Sequence, residues 1–319
     1  MTFKSMQHRP LVTFAMFTYN QEQYIIDAVN SALAQNYEPL EIIFSDDCSN
    51  DTTFLKMDKI VSEYQGRHSV VLRQNSSNLG LAAHVNAVLA EARGEIILFA
   101  AGDDISQSER CAISVNLLEK FPLAAEALVA ANVIDGEGNG LQIKRHANGP
   151  DRVQTFNDLL SSQYQTFGAG RAIRRRVYDV FGDLNDTCPT EDTPYLLRSM
   201  ISGGSILSDS VGVQYRVHGK NMSGAFSMAK MNIDQIYSQY RSDFKRAKQL
   251  GLVTDLEIAS LNNWIKLDLQ FRIIKAKMAF KRHTSFTECL TTWKISKFTI
   301  KDRLKCLALF IFGKRNELT

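Results

Sequence analysis

The chain has 319 residues, 45% of them hydrophobic and 22% charged, a balance that supports a sizeable core and excludes a disordered or collagen-like chain. Its net charge of +3 hides an asymmetry: residues 1–224 carry 19 Lys and Arg against 26 Asp and Glu, whereas residues 225–319 carry 18 against 8. Five scattered cysteines without a Cys-x-x-Cys spacing argue against a disulfide framework or a zinc site, and neither a signal peptide nor an apolar run of roughly 18 residues is expected.

Residues 11–17 predict a strand that stops at Thr18-Tyr19-Asn20-Gln21-Glu22, and the spacing of Tyr24, Ile25, Ala28, Val29, Ala32 and Leu33 predicts a helix after it. Residues 40–45 predict a second strand, ended by Asp46-Asp47-Cys48-Ser49-Asn50-Asp51-Thr52. A helix over residues 53–64 follows, capped by Asp51 or Thr52. A short strand at 70–73, a turn through 75–80 and a helix over 81–92 lead to Gly94. The run Glu95-Ile96-Ile97-Leu98-Phe99-Ala100-Ala101-Gly102-Asp103-Asp104 then reads as a strand buried on both faces that ends in two carboxylates. A helix over 108–121 and a strand near 127–133 complete the series.

Strands alternating with helices at this spacing predict βαβ crossovers and a mainly parallel sheet with helices on both faces. Parallel strands end on one side. The polar ends at 18–22, 46–47 and 103–104 therefore gather on one edge, where ligands of open α/β sheets bind. Paired Asp residues there are hard oxygen ligands of the kind Mg²⁺ or Mn²⁺ takes, although Gly-Asp-Asp is also ordinary turn chemistry.

Asp135-Gly136-Glu137-Gly138-Asn139-Gly140 predicts a hairpin, and no Gly-x-Gly-x-x-Gly follows the first strand, which disfavours a nicotinamide oxidoreductase. After a helix near 156–162, Thr166-Phe167-Gly168-Ala169-Gly170-Arg171 is either a tight turn or a close backbone approach to a ligand. Glu191-Asp192 opens a helix, a position that suits capping as well as chemistry. A strand near 211–217 delivers Tyr215-Arg216-Val217-His218, and a lone His there needs acids nearby to ligate a metal. From about residue 225 the pattern is helical. It ends in the apolar stretch 306–312, edged by Lys301, Arg303, Lys314 and Arg315, which suits either a membrane interface or a packed terminal helix.

Taken in order, Thr18–Glu22, Asp46–Thr52, Gly102-Asp103-Asp104 and Glu191-Asp192, with Tyr215–His218 behind them, resemble the family 2 glycosyltransferases of GT-A fold, especially bacterial enzymes of surface-polysaccharide assembly. The resemblance covers roughly residues 10–224. It implies a GT-A, Rossmann-like α/β domain over 1–224 with a basic helical appendage over 225–319. It also implies inverting, metal-dependent transfer from a UDP- or dTDP-sugar to a glycan or lipid-linked acceptor in O-antigen or capsule synthesis. Asp47 would accept the N3–H of a pyrimidine base, with Thr18, Tyr19, Asn20 and Glu22 around the nucleotide and Asp103 on ribose or sugar hydroxyls. Asp104 and His218 would serve a Mn²⁺ or Mg²⁺ ion, and Asp192, beside Glu191, would be the catalytic base. The family's commonest pattern is Asp-x-Asp-Asp, and Ala101 stands where its leading Asp would be, which leaves open a nucleotide-sugar-binding protein without catalysis. The expected setting is cytoplasmic, with an anionic membrane surface at the inner face as a candidate partner and no nucleic-acid partner.

Overall fold

A computed structural model of the chain describes residues 9–145, 149–219, 221, 225–295 and 297–313. Two compact units emerge, one of residues 1–154 with 165–217 and one of residues 155–164 with 218–319.

The first unit begins β1 (Val12–Thr18), α1 (Ile25–Leu33), β2 (Leu40–Asp46), α2 (Thr53–Glu63), β3 (Ser69–Gln74), α3 (Leu81–Glu91) and β4 (Ile96–Ala101). It continues β5 (Ile105–Ser106), α4 (Arg110–Lys120), β6 (Glu126–Ile134), β7 (Gly140–Arg145) and β8 (Arg152–Gln154). The short helix α5 (Phe156–Leu160) belongs to the second unit. The chain then returns through β9 (Arg171–Arg174), α6 (Arg175–Phe181), α7 (Asp192–Ile201) and β10 (Ser205–Arg216).

The strands form one sheet in the order β3-β2-β1-β4-β9-β6-β10-β5, with β7 beside β6 and β8 beside β10. The apolar runs are buried on both faces, as their continuity predicts. Phe14 and Met16 of β1 point into a core shared with Ala28 and Val29 of α1 and Met57 of α2. Ala15 and Phe99 point the other way, onto Val85 of α3 and Tyr195 of α7. Helices therefore cover both faces. The turn at Asp135–Asn139 closes the predicted hairpin, with Asp135 N–H donating to Asn139 O at 2.9 Å.

Three short strands are not foreshadowed: β5, β8 and β9. β9 inserts antiparallel between β4 and β6, and its sequence Arg-Ala-Ile-Arg is too short and too charged to carry a two-residue period.

The second unit adds α8 (Ala225–Lys230), α9 (Ile233–Gln249), α10 (Asp255–Ala279), α11 (Phe286–Lys294) and α12 (Ile300–Phe312). Capping boxes start α10, α11 and α12: Thr254 with Glu257, Ser285 with Glu288, and Thr299 with Asp302. Ile274, Met278, Cys289, Phe298 and Cys306 form its inner cluster. Among the described residues no helix is long and apolar enough to cross a membrane. Lys314 and Arg315, two of the cations expected to edge the terminal helix, lie outside the described residues.

Candidate active site

Parallel pairing sets Thr18 opposite Asp46 and Phe17 opposite Ala101, so the polar ends of β1, β2 and β4 lie side by side. Asp46, fully buried, folds its own loop: it accepts from Ser49 N–H (2.9 Å), Ser49 Oγ (2.5 Å) and Gln74 Nε2 (2.9 Å). Asp47 comes next, its N–H donating to Thr18 O at 2.9 Å. Its carboxylate, 3% exposed, accepts from Asn75 Nδ2 (2.8 Å), Leu79 N–H (2.9 Å) and Gly80 N–H (3.0 Å). A carboxylate so held is a fixed acceptor at the strand end, and Oδ2 carries one of these three bonds.

The first loop is clamped to the second. Asn20 N–H donates to Ser49 Oγ and Asn20 Oδ1 accepts from Asn50 N–H, both at 2.8 Å. Glu22 Oε2 accepts from Thr52 Oγ1 (2.5 Å) and Thr52 N–H (3.2 Å), bonds that hold Glu22 below the ordinary carboxylate range. The side chains of Asn20 and Glu22 thus hold loop to loop. Thr18 is buried, its hydroxyl donating inward to Ser45 O at 3.1 Å, while Tyr19 stands exposed above it.

At the end of β4, Gly102 has no room for a side chain, because a Cβ there would collide with Gln21 Oε1 and Thr18 Cγ2. The chain turns tightly into Asp103 and Asp104. Asp104 is buried; Oδ1 accepts Arg216 N–H at 2.8 Å, and Oδ2 has no hydrogen-bond partner among the described residues. Burial first, then the charge of Asp103, pushes the Asp104 carboxyl well above its ordinary range. Arg216, itself buried, pins this turn: Nε donates to Asp103 O (2.9 Å), Nη1 to Gly136 O (3.2 Å), and Nη2 reaches Asp27 Oδ2 (3.2 Å).

Among the described residues, no group of three or more His, Cys, Asp or Glu could hold a metal ion. The set here is two carboxylates, Asp103 and Asp104. A buried carboxylate oxygen without a partner beside a second carboxylate fits Mg²⁺ or Mn²⁺, which complete their shells with phosphate oxygens and water. His218, the other expected ligand, opens the second unit, where its N–H donates to Asn221 Oδ1 at 2.5 Å.

Because β9 runs antiparallel beside β4, with Ala172 opposite Leu98, the turn before β9 reaches the same edge as the Asp103–Asp104 turn. There Arg171, fully buried, forks between two carboxylates. Nε meets Glu126 Oε1 at 2.5 Å, Nη1 meets Asp192 Oδ1 at 3.0 Å, and Nη2 donates to Thr166 Oγ1 (2.8 Å) and Asp192 O (2.9 Å). Asp192 begins α7 with its side chain 39% exposed, so one end is tied to the interior while the other meets solvent. Glu191, the residue just before the helix, hydrogen-bonds Asp192; burial, followed by the Asp192 charge, pushes Glu191 up to about 8. The Gly168 backbone approaches closely, since a Cβ on it would collide with Asp192 Oδ1. The glycine turn therefore packs on the carboxylate pair.

Arg171, Glu126 and the pinning role of Arg216 escape a reading of the sequence. An Arg between a glycine turn and an apolar pair was the available signal, and its meaning depends on Glu126, 45 positions earlier.

Residues 13–182 match the family described as glycosyl transferase family 2. A Bacillus subtilis protein named as glycosyltransferase EpsE is 36% identical over 117 residues, which is 36% of this chain and 41% of that protein. An Escherichia coli K12 protein named as the colanic acid biosynthesis glycosyl transferase WcaA is 33% identical over 134 residues, 41% of this chain and 46% of that one. The match thus spans less than half the length of these curated relatives. Among solved structures, the mannosyltransferase PcManGT of Pyrobaculum calidifontis, in complex with GDP-Man and Mn²⁺, superposes with a TM-score of 0.59 at 17% identity, covering 96% of this chain and 86% of that one. S. aureus TarS in complex with UDP-GlcNAc gives 0.57 at 16%, covering 94% and 90%. The fold is the GT-A fold.

Proposed function

The chain belongs to glycosyl transferase family 2, and from that premise we propose that it moves a sugar, with inversion, from a nucleoside-diphosphate sugar to a hydroxyl of a glycan or lipid-linked acceptor. The setting is cell-surface polysaccharide assembly, O-antigen or capsule, on the cytoplasmic side at the inner face of the membrane. The relatives named for glycosyl transfer and colanic acid biosynthesis support that class of product.

The observation that carries the reading is the meeting on one sheet edge of a donor-type turn, Asp103–Asp104, with an acceptor-type carboxylate, Asp192, that is held by a buried Arg and open to solvent. Asp47 accepts the N3–H of a uracil or thymine base, Tyr19 covers the base, and Thr18, Asn20 and Glu22 keep the loop in shape. Asp103 takes ribose or sugar hydroxyls. Asp103 and Asp104 would hold Mn²⁺ or Mg²⁺, which when bound neutralises charge on the diphosphate. Asp192 accepts the proton of the acceptor hydroxyl as its oxygen bonds to the anomeric carbon and the bond to the diphosphate oxygen breaks. Attack from the face opposite the leaving group inverts that carbon. Arg171 keeps Asp192 aimed, and Glu191 in its protonated form lends it a hydrogen bond without adding a second charge.

A melting panel of UDP-, dTDP- and GDP-sugars, with and without Mn²⁺, run beside a donor-hydrolysis assay, tests the reading. A rise in Tm with one base class that needs the metal, together with turnover, is the expected result. Ala101, which reduces the carboxylate set, favours a second reading: a nucleotide-sugar-binding protein without catalysis. Binding without any turnover selects it, and no response to any nucleotide sugar overturns both.

A further inference from the structure

Helices α11 and α12 pack together and each turns one side to the inner cluster of the second unit. On α12 that side carries Cys306, Leu309 and Phe310. The other side is apolar too. Ile300, Leu304, Leu307 and Ile311 recur at helical spacing and are 45–72% exposed. On α11, Phe286, Leu290 and Trp293 repeat the pattern, with exposures of 61%, 48% and 68%. The stripes adjoin at Trp293, where the Arg303 guanidinium sits 4.8 Å from the ring and Arg303 Nε donates to Thr292 O at 3.2 Å.

Among the described residues of 281–313, every exposed charged side chain is a cation. The hairpin's own carboxylates are engaged with α10: Glu288 with Lys277 at 2.6 Å and Asp302 with Lys275 at 2.8 Å. Lys281, Arg282, Lys294, Lys301 and Lys305 are exposed around it. We propose that the α11–α12 face, centred on Trp293 and Leu304, docks on an anionic lipid bilayer, lying in the interface with its lysines at the headgroups. A second copy of the chain is the poorer occupant, because a two-fold contact through this patch would set lysine rim against lysine rim. The proposal deepens the reading that transfer takes place at a membrane, and names the surface that would hold the protein there.

The test uses the full chain with vesicles of phosphatidylcholine, alone or mixed with phosphatidylglycerol, scored by co-sedimentation. The wild type should follow the anionic vesicles and be released by salt. Trp293→Ser with Leu304→Ser should lower partition by about tenfold or more, and Lys301→Gln and Lys305→Gln by about fivefold each. All these side chains are exposed, so Tm should not move. Equal partition into neutral and anionic vesicles, or wild-type partition by the Trp293/Leu304 variant, overturns the proposal. So does a dimer in solution that this variant dissociates while vesicles have no effect, which would assign the face to self-association. Donor hydrolysis measured without vesicles reads the sheet-edge chemistry separately, so failure of one does not imply failure of the other.

Discussion

The fully buried Arg171 places Nη1 3.0 Å from Asp192 Oδ1 and Nε 2.5 Å from Glu126 Oε1, so one cation ties a solvent-facing carboxylate to a carboxylate of the core. An Arg suits this position because its planar fork can serve both partners at fixed angles, whereas Lys offers a single point of charge. Asp192 is thereby aimed without being buried.

Asp192→Asn should lower kcat by at least about 10²-fold, the usual scale for a general base, with donor affinity by calorimetry unchanged. Arg171→Lys should lower kcat in the same direction, again without weakening the donor. Should either variant lose nucleotide affinity as much as turnover, the acceptor-side role is wrong.

Gly168→Ala places a methyl group where Asp192 Oδ1 now sits. The carboxylate must swing, and a displacement of about an ångström can lower the rate about 10²-fold. Steady-state kinetics should find the loss in kcat, with the melting response to UDP-sugar preserved. Normal turnover would mean that the exact placement of Asp192 is unimportant.

Asp104→Asn should abolish the rise in Tm produced by Mn²⁺ with donor, because an amide keeps the shape but removes the charge a hard cation needs. The fold should survive. The folded-state pKa of Asp104 is raised, so its ionisation costs stability as pH climbs above the unfolded carboxylate range. Without metal, the variant should therefore melt no lower than the wild type at pH 8. Unchanged Mn²⁺ affinity would remove Asp104 from the metal site.

Glu191, pushed up to about 8, has the same sign. Between about pH 4.5 and pH 8 the unfolded carboxyl sheds its proton before the folded one, so stability falls across that window. Glu191→Gln should cancel this slope, with Tm above the wild type at pH 8 and equal to it near pH 4. Parallel melting curves for the two proteins over the whole window would mean that Glu191 titrates normally.

How much of this was legible beforehand follows from the range of each interaction. The apolar runs of β1, β2 and β4 and the polar residues that end them have a local cause, since a strand buried on both faces must be apolar along its length and must stop where polar residues begin. Parallel pairing then brings Thr18, Asp46–Asp47 and Asp103–Asp104 to one edge without further information. Glu191-Asp192 could be located at a helix start, but its neighbours could not.

The sequence by itself determined the alternating α/β series, the carboxylates at the strand ends, the family they resemble and the helical character of the last third, because each depends on residues a few positions apart. Tertiary structure alone decided that β9 enters the sheet beside β4, that Arg171 finds Glu126 and Asp192, and that Asn20 and Glu22 clamp two loops. It also chose which apolar side of α11 and α12 turns inward and which stays in solvent. In each case the partner lies many residues away. A buried charge or an apolar stripe acquires its meaning only from what the folded chain sets against it.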